Sequence, residues 1–444
     1  ESYLVIERIL DAIRRSGADA VHPGYGFLSE NAAFATALAD MGIAFIGPPV
    51  GAIEAMGDKI ASKKLALAAG VNSVPGHLEV LANADEAVRV AGELGYPVML
   101  KASAGGGGKG MRVAYDEAEA REGFTSAVNE AKSSFADDRI FAEKFIEQPR
   151  HIEIQVFADD HGNIVYLGER ECSIQRRHQK VIEEAPSPFV TPDIRTAMGE
   201  QAIKLAKAVK YVSAGTVEFI MDVDQNFYFL EMNTRLQVEH PVTEYITGLD
   251  LVELMIRVAA GEKLPFSQAD VKLNGWAMES RIYAEDPVRG FLPSAGRLVR
   301  YGAPAESATV RVDTGVYEGG EIPIYYDPMI AKLVTSGPDR KSAIANMRRA
   351  LDQFYIKGVS NNIGFLAAVM AHPRFIAGDL STQFIDEEYE DGFHPLYVPH
   401  DDPELLVAVV ASLHRTYTDR AASISGRHDA RTKPKVGKDW IVYL

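Results

Sequence analysis

The chain has 444 residues, a formal net charge of −16, 47% hydrophobic residues and a single cysteine, Cys172. At about 150 residues per domain the length suggests roughly three domains, and the acidic balance argues against a nucleic-acid partner. One cysteine excludes an internal disulfide framework and fits a reducing compartment; no apolar run approaches membrane-span length, and no signal peptide or internal repeat is visible.

In chain order, Ser29 reads as the N-cap of a helix running to about Met41, with Gly42 ending it. Residues 96–101 read as a buried strand ending in Lys101. Next comes Ser103-Ala104-Gly105-Gly106-Gly107-Gly108-Lys109-Gly110, and then a strand-like run over 111–115. Glycine lets backbone N–H groups approach phosphate oxygens, and a nearby lysine supplies charge. Gly105, Gly107 and Gly110 match GxGxxG, but a dinucleotide fold needs a helix directly after the loop. No Ser or Thr follows Lys109, as the Walker A pattern requires. A glycine loop bridging two strands suggests a flap that closes over phosphates; a solvated linker is the plainer alternative.

Residues 151–157 alternate, turn at 160–163 and return through 164–167. They lead into Arg176-Arg177-His178-Gln179-Lys180, a cluster that could grip an anion or could equally be a solvated surface. Residues 215–220 read as a strand, and Asp222-Val223-Asp224-Gln225-Asn226 carries turn chemistry. If that hairpin folds symmetrically about 224 and 225, Glu218 faces Glu231, Phe219 faces Leu230 and Thr216 faces Asn233. Two carboxylates ~5 Å apart at an effective dielectric near ~20 repel by roughly 3 kcal/mol, a cost that a cation removes. Two carboxylates and an amide suit magnesium or manganese, so Glu218, Glu231 and Asn233 are the candidate metal ligands. A register slip of one residue would send the acids to different faces.

The returning strand continues as Glu231-Met232-Asn233-Thr234-Arg235-Leu236-Gln237-Val238-Glu239. If it stays extended, Glu231, Asn233, Arg235, Gln237 and Glu239 share one face, and that face is a polar working surface.

Taken together, these segments resemble the biotin carboxylase branch of the ATP-grasp enzymes. The carriers are residues 22–31 (HPGYGFLSEN), 56–59 (MGDK), the glycine loop, 149–155 (PRHIEIQ), 176–180 (RRHQK), 231–243, 279–287 (ESRIYAEDP) and 325–330 (YYDPMI), spread over residues 1 to 396. The resemblance implies an α/β (α+β) ATP-grasp fold. It would have a partial Rossmann-like N-terminal domain at 1–75, a flap domain at 76–145 and a large mixed domain at 146–396. Residues 397–444 would link to a carboxyltransferase-docking region. It implies that Lys59, Lys101, Gly105, Gly106, Gly107, Gly108 and Gly110 hold ATP phosphates. Glu143, Lys144, Ile146 and His151 would line the adenine and ribose side, with Gln175 and His178 nearby. Glu218 and Glu231, with Asn233, would bind Mg2+ or Mn2+. Arg235, Gln237 and the Val238 backbone would hold bicarbonate, with Lys180 close by. Glu239 would be the general base, Arg281 would stabilise the enolate-like form of biotin, and Tyr25 would lie near that pocket.

The implied reaction is ATP-dependent carboxylation of biotin by bicarbonate through carboxyphosphate. The implied partners are a biotin carboxyl carrier domain and a carboxyltransferase β subunit in a hetero-oligomer, in the bacterial cytosol or the mitochondrial matrix. Residues 405–417 read as a helix and 439–444 as a strand, which resembles the α subunits of acyl-CoA carboxylases. The propionyl-CoA enzymes are preferred over the methylcrotonyl-CoA and acetyl-CoA ones. The family's opening strand–helix unit is expected upstream of Glu1. The carrier, whose Ala-Met-Lys-Met signature is absent from the sequence, is expected on another segment or polypeptide. Another ATP-grasp ligase and a non-catalytic nucleotide-binding scaffold are the competing readings.

Overall fold

The computed structural model describes residues 3–104, 110–397 and 403–424. The N-terminal part holds α1 (Ile6–Ser16), β1 (Ala20–Val21), α2 (Ala32–Asp40), β2 (Ala44–Phe45), α3 (Val50–Gly57) and α4 (Lys59–Ala68), with β1 and β2 parallel. Helix α2 starts two residues later than Ser29 predicts. Gly26 and Phe27 both take positive φ, and the turn they make delays the helix, so Asn31 is the cap and accepts from Phe34 N–H. Asp58 caps α4 in the same way, accepting from Ala61 N–H.

A four-stranded sheet follows, built from β3 (Gly76–His77), β4 (Val98–Ala102), β5 (Met111–Ala114) and β6 (Ile140–Lys144) in the order β3-β6-β4-β5, with α5 (Ala84–Leu94) and α6 (Glu117–Phe135) packed on it. Strands β4 and β5 are antiparallel, so the glycine segment joins two strands. Gly110 closes that hairpin: its φ is +70°, and a Cβ there would lie 2.8 Å from the Ala102 methyl. The candidate phosphate contacts Gly105, Gly106, Gly107 and Gly108 lie outside the described residues.

The large sheet has eight strands. They are β7 (Arg150–Ala158), β8 (Ile164–Arg176), β9 (Gln179–Ala185), β10 (Ser213–Met221), β11 (Phe227–Asn233), β12 (Trp276–Tyr283), β13 (Val310–Thr314) and β14 (Met329–Gly337). Their order is β11-β10-β7-β8-β9-β12-β14-β13, and every pairing is antiparallel. Between strands run α7 (Pro192–Ala208), α8 (His240–Thr247) and α9 (Leu251–Ala259); α10 (Arg340–Gln353) and α11 (Ile363–Ala371) follow the last strand.

One face of this sheet is apolar. Ile152, Ile154, Val217 and Phe219 pack with Met198, Ala202 and Leu205 of α7; Met278, Ile282 and Leu333 pack with Met347 and Leu351 of α10. The alternate residues of the same strands face the other way, and they include Glu153, Arg170, Glu183, Glu218, Glu279 and Arg281.

The β10–β11 hairpin corrects the symmetric turn expected from sequence. Near the turn the pairs are Met221 with Phe227 and Phe219 with Phe229, one residue off the predicted register. A bulge at Leu230 restores it, so Glu218 faces Glu231 and Thr216 faces Asn233. The strand then ends at Asn233. Residues 234–239 are irregular, and Glu239 is the N-cap residue of α8, where Pro241 lies in the first turn. The expectation of one extended run through Glu239 is therefore wrong. Of the tail, residues 403–424 form a helix, which includes the expected one; the strand expected at 439–444 lies outside the described residues.

Candidate active site

Cross-strand register lays a row of charge across the sheet. Glu231, Glu218, Glu153 and Arg170 are successive partners from β11 through β10 and β7 to β8. Further along, Glu183 on β9 is directly opposite Glu279 on β12, and Arg281 is opposite Lys332 on β14. Glu153, Arg170, Glu183 and Glu279 are fully buried.

Lys180 stands at the centre of this row. Its ammonium donates to Glu153 at 2.5 Å, Glu239 at 2.6 Å and Glu218 at 3.1 Å. Glu239 receives Arg281 on its other oxygen at 3.0 Å, and Arg281 also donates to Glu183 at 2.6 Å. Burial alone would raise the Glu239 carboxyl, but Lys180, Arg281 and Arg170 outweigh it and hold it well below the ordinary carboxylate range. Glu218 is likewise held low against burial by Lys180 and His151.

The predicted metal acids face each other and are also served by protein cations. Glu218 receives Asn233 Nδ2 at 2.9 Å and Gln237 Nε2 at 2.7 Å, His151 Nε2 lies 3.0 Å from it, and Lys59 lies 3.5 Å from Glu231. The repulsion expected between bare acids is thus partly relieved by Lys180 and Lys59. Glu231 keeps 37% of its side chain exposed, so its outer oxygens are open to an incoming cation. The oxygen-only set of Glu218, Glu231 and the Asn233 amide fits Mg2+ or Mn2+. Asn233 Oδ1 accepts from Arg235 at 2.7 Å, a contact that would have to give way for the amide to bind a metal. Two mixed groups, His151–Glu153–Glu218 and Glu153–Cys172–Glu239, also come within ligating distance among the described residues. The Lys180 ammonium already supplies the positive charge among their carboxylates.

The remaining predicted residues fall in several settings. Arg235 is held by Glu30 at 2.8 Å as well as by Asn233. Gln237 is buried with both ends engaged, accepting from Arg170 and donating to Glu218, each at 2.7 Å. The Val238 carbonyl accepts from Lys332 at 2.7 Å. Tyr25 is half-buried in the turn before α2. Lys59 opens α4, and its backbone N–H donates to Ser103 O at the stem of the glycine loop. Lys101 donates to Glu143 at 2.8 Å. Lys144 is turned away, donating to the carbonyls of Gly95 and Tyr96. Ile146 is half-buried between β6 and β7.

The basic cluster at 176–180 does not form a single grip. Arg176 pairs with Glu285 at 3.1 Å and stacks on Phe291, Arg177 and His178 make the exposed β8–β9 turn, and Lys180 enters the row. Gln175 folds back onto Cys172 O. His178 is nevertheless near Lys101 and Lys59: partial desolvation, and then these cations, lower its pKa.

Sequence reasoning missed Arg170, Glu153, Glu183, Glu279, Lys332, Glu30 and Lys63. Arg170, fully buried, donates to Glu153, Gln155, Thr243, Thr216 and Gln237. Its available signal was the run Glu169-Arg170-Glu171 in the middle of a strand that opens with Ile164, Val165, Tyr166 and Leu167. Lys63, also buried, bonds Glu143 on the oxygen that Lys101 leaves free.

Comparison with known proteins matches three family models in succession. These are the biotin carboxylase N-terminal domain over residues 1–53, the carbamoyl-phosphate synthase L chain ATP-binding domain over 58–267, and the biotin carboxylase C-terminal domain over 279–387. The propionyl-CoA carboxylase alpha chain of Ruegeria pomeroyi is 61% identical over 100% of this chain and 68% of its own length. The human mitochondrial propionyl-CoA carboxylase alpha chain is 58% identical over 95% of this chain and 58% of its own length. The biotin carboxylase domain of Hydrogenobacter thermophilus 2-oxoglutarate carboxylase, solved with MgADP, ADP and bicarbonate, superposes with a TM-score of 0.85 at 48% identity. That match covers 90% of this chain and 87% of that one.

Proposed function

Because the chain belongs to the biotin carboxylase family of ATP-grasp enzymes, we propose that its row of charged residues carries out the ATP-dependent carboxylation of biotin as the first half-reaction of a propionyl-CoA carboxylase. The observation that carries this reading is the position of Lys180. One ammonium joins Glu218, on the metal hairpin, to Glu239, beside Arg281. The nucleotide end and the carboxylation end therefore share a cation.

Bicarbonate is a poor electrophile toward a urea nitrogen, and phosphoryl transfer from ATP turns it into carboxyphosphate. Lys59 and Lys101, with the glycine flap, are assigned to the ATP phosphates; Glu143, Lys144, Ile146, His151, Gln175 and His178 to the nucleoside side. Glu218, Glu231 and Asn233 would hold Mg2+ or Mn2+, which when bound neutralises charge on the phosphates. Arg235, Gln237 and the Val238 backbone would hold bicarbonate. Glu239 then takes its proton. As a base it is weak while both Lys180 and Arg281 donate to it, and a bound anion that draws these donors to itself raises its basicity. Arg281 would stabilise charge on the biotin ureido oxygen, with Tyr25 assigned to the same pocket. A flap over 76–145 excludes water, which would hydrolyse carboxyphosphate.

The chain spans 68% of the Ruegeria relative and 58% of the human one. The carrier domain, the carboxyltransferase partner and the choice of propionyl-CoA therefore rest on that relationship. No helix among the described residues is long and apolar enough to cross a membrane. ATP hydrolysis measured with and without bicarbonate, in the presence of free biotin, tests the reading. Bicarbonate-dependent hydrolysis stimulated by biotin is expected, and hydrolysis indifferent to bicarbonate overturns it.

A further inference from the structure

Behind the Glu239–Arg281 contact lies a group that the reaction outlined above does not use. Glu279 is fully buried, and neither of its carboxyl oxygens has a hydrogen-bond partner. Glu183, its direct cross-strand partner, is fully buried too. One of its oxygens receives Arg281, and Oε2 has no partner. The nearest cation to Glu279, Lys332, is 3.9 Å away and is committed to the Val238 carbonyl at 2.7 Å and to Asp313 at 3.2 Å. The charged and titratable groups facing the pair come from every neighbouring element. They are Lys180 on β9, Arg281 on β12 itself, Lys332 on β14, Glu239 at the head of α8, and His240 in α8, which burial and Lys332 keep neutral.

Two buried carboxylates, with three orphaned oxygens between them, do not both stay ionised in such a setting. Direct cross-strand neighbours have Cβ atoms about 4.5–5.5 Å apart, within reach of an O–H···O bond between their carboxyls. We propose that Glu279 is a neutral carboxylic acid that donates its proton to Glu183 Oε2, and that this one-proton pair positions both Arg281 and the 237–239 backbone. This role rests on the biotin carboxylase reading only in assigning those two elements to the reaction.

The proton does two things. It leaves a single negative charge on Glu183, enough to orient the Arg281 guanidinium without pulling it from Glu239. It also leaves Lys332 free to hold the Val238 carbonyl, which fixes the segment assigned to the bicarbonate anion. When the proton leaves, Glu279 becomes a buried anion beside Lys332, and the lysine is drawn off Val238. The direction of titration agrees: burial pushes Glu279 up to about 8 and Glu183 up to about 7, against the pull of Lys332 and Arg281 respectively. Activity is thus expected to fall as pH rises through about 8.

Infrared spectroscopy of the full chain tests the proton directly. A carbonyl stretch of a protonated carboxylic acid is expected at pH 7, lost at higher pH and absent from Glu279→Gln. Glu183→Gln, which takes away the acceptor carboxylate, should shift the band. No such band at pH 7, or a band that neither variant alters, overturns the proposal whether or not the chain turns over bicarbonate. The pH profile tests the positioning role. Glu279→Gln mimics the neutral acid, so its bicarbonate-dependent ATP hydrolysis should stay within about threefold of the parent at pH 7 and lose the alkaline fall. A variant that keeps the parent's alkaline fall overturns that role.

Discussion

The two faces of the eight-stranded sheet are made by the same strands, yet they treat charge differently. On the face covered by α7 and α10, two buried carboxylates each have an arginine fork, and Glu171 receives Arg150 at 3.2 Å and the Ser187 hydroxyl at 2.8 Å. Glu169 receives Arg195 at 2.5 and 2.6 Å, and Glu184 receives Arg340 at 2.7 and 2.9 Å. Apolar side chains fill the space between them. On the opposite face Lys180 is divided among three carboxylates, Arg281 between two, and Glu279 has no hydrogen-bond partner. One-to-one bidentate pairs fix geometry. A cation shared among several acids can be reassigned when an anion arrives, and this is what a site that binds bicarbonate and phosphate requires. The lesson is that fixed and reassignable charge pairing divide by face rather than by segment.

The sharpest way to break this division is Glu239→Gln. Loss of a positioned base should lower bicarbonate-dependent turnover by about 10²–10⁴-fold while the melting temperature barely moves; turnover near that of the parent removes Glu239 as the base. Arg170→Met probes whether the charged face also carries stability. It removes one of the two cations on buried Glu153, leaving Lys180, and takes the shared donor from Gln155, Thr216, Thr243 and Gln237, so urea unfolding should show a loss of about 3–5 kcal/mol. Leu333→Ala is the matching test on the apolar face. It should cost about 2–5 kcal/mol of stability and leave kcat of the folded fraction unchanged. A fall in kcat without a fall in stability would contradict the assignment of faces.

The smallest effect is in acid. Burial raises the Glu143 carboxyl, but Lys101 and Lys63 outweigh it and bring it down to about 2, from an ordinary value of 4.5. Its folded pKa is depressed, so its contribution to stability is complete above about 4.5 and disappears as pH falls toward 2. Removing the charge with Glu143→Gln should flatten the acid side of the stability curve in that window, and an unchanged slope would place its stabilisation elsewhere.

The hairpin and the glycine loop were legible in sequence because both are local. The Glu218–Glu231 match was read correctly only because the Leu230 bulge restores the register that the turn shifts. Glu239 came from the same alternation, although the strand stops at Asn233 and a helix N-terminus places it instead. Arg170, Glu183 and Glu279 were illegible for a different reason. Each is a charged residue in an otherwise buried strand, and its partner is set by the strand order β11-β10-β7-β8-β9-β12, which no local pattern encodes. The cluster at 176–180 misled for the converse reason: neighbours in sequence diverge at a tight turn, so adjacency in the chain did not bring their side chains together.

The central claim is that the metal hairpin and the anion clamp act on one another through Lys180, so that bicarbonate attacks ATP within a single site. Oxygen-labelled bicarbonate tests it most directly. With ATP, magnesium and biotin present, the phosphate released should carry one labelled oxygen from bicarbonate; phosphate labelled only from solvent water would contradict the account.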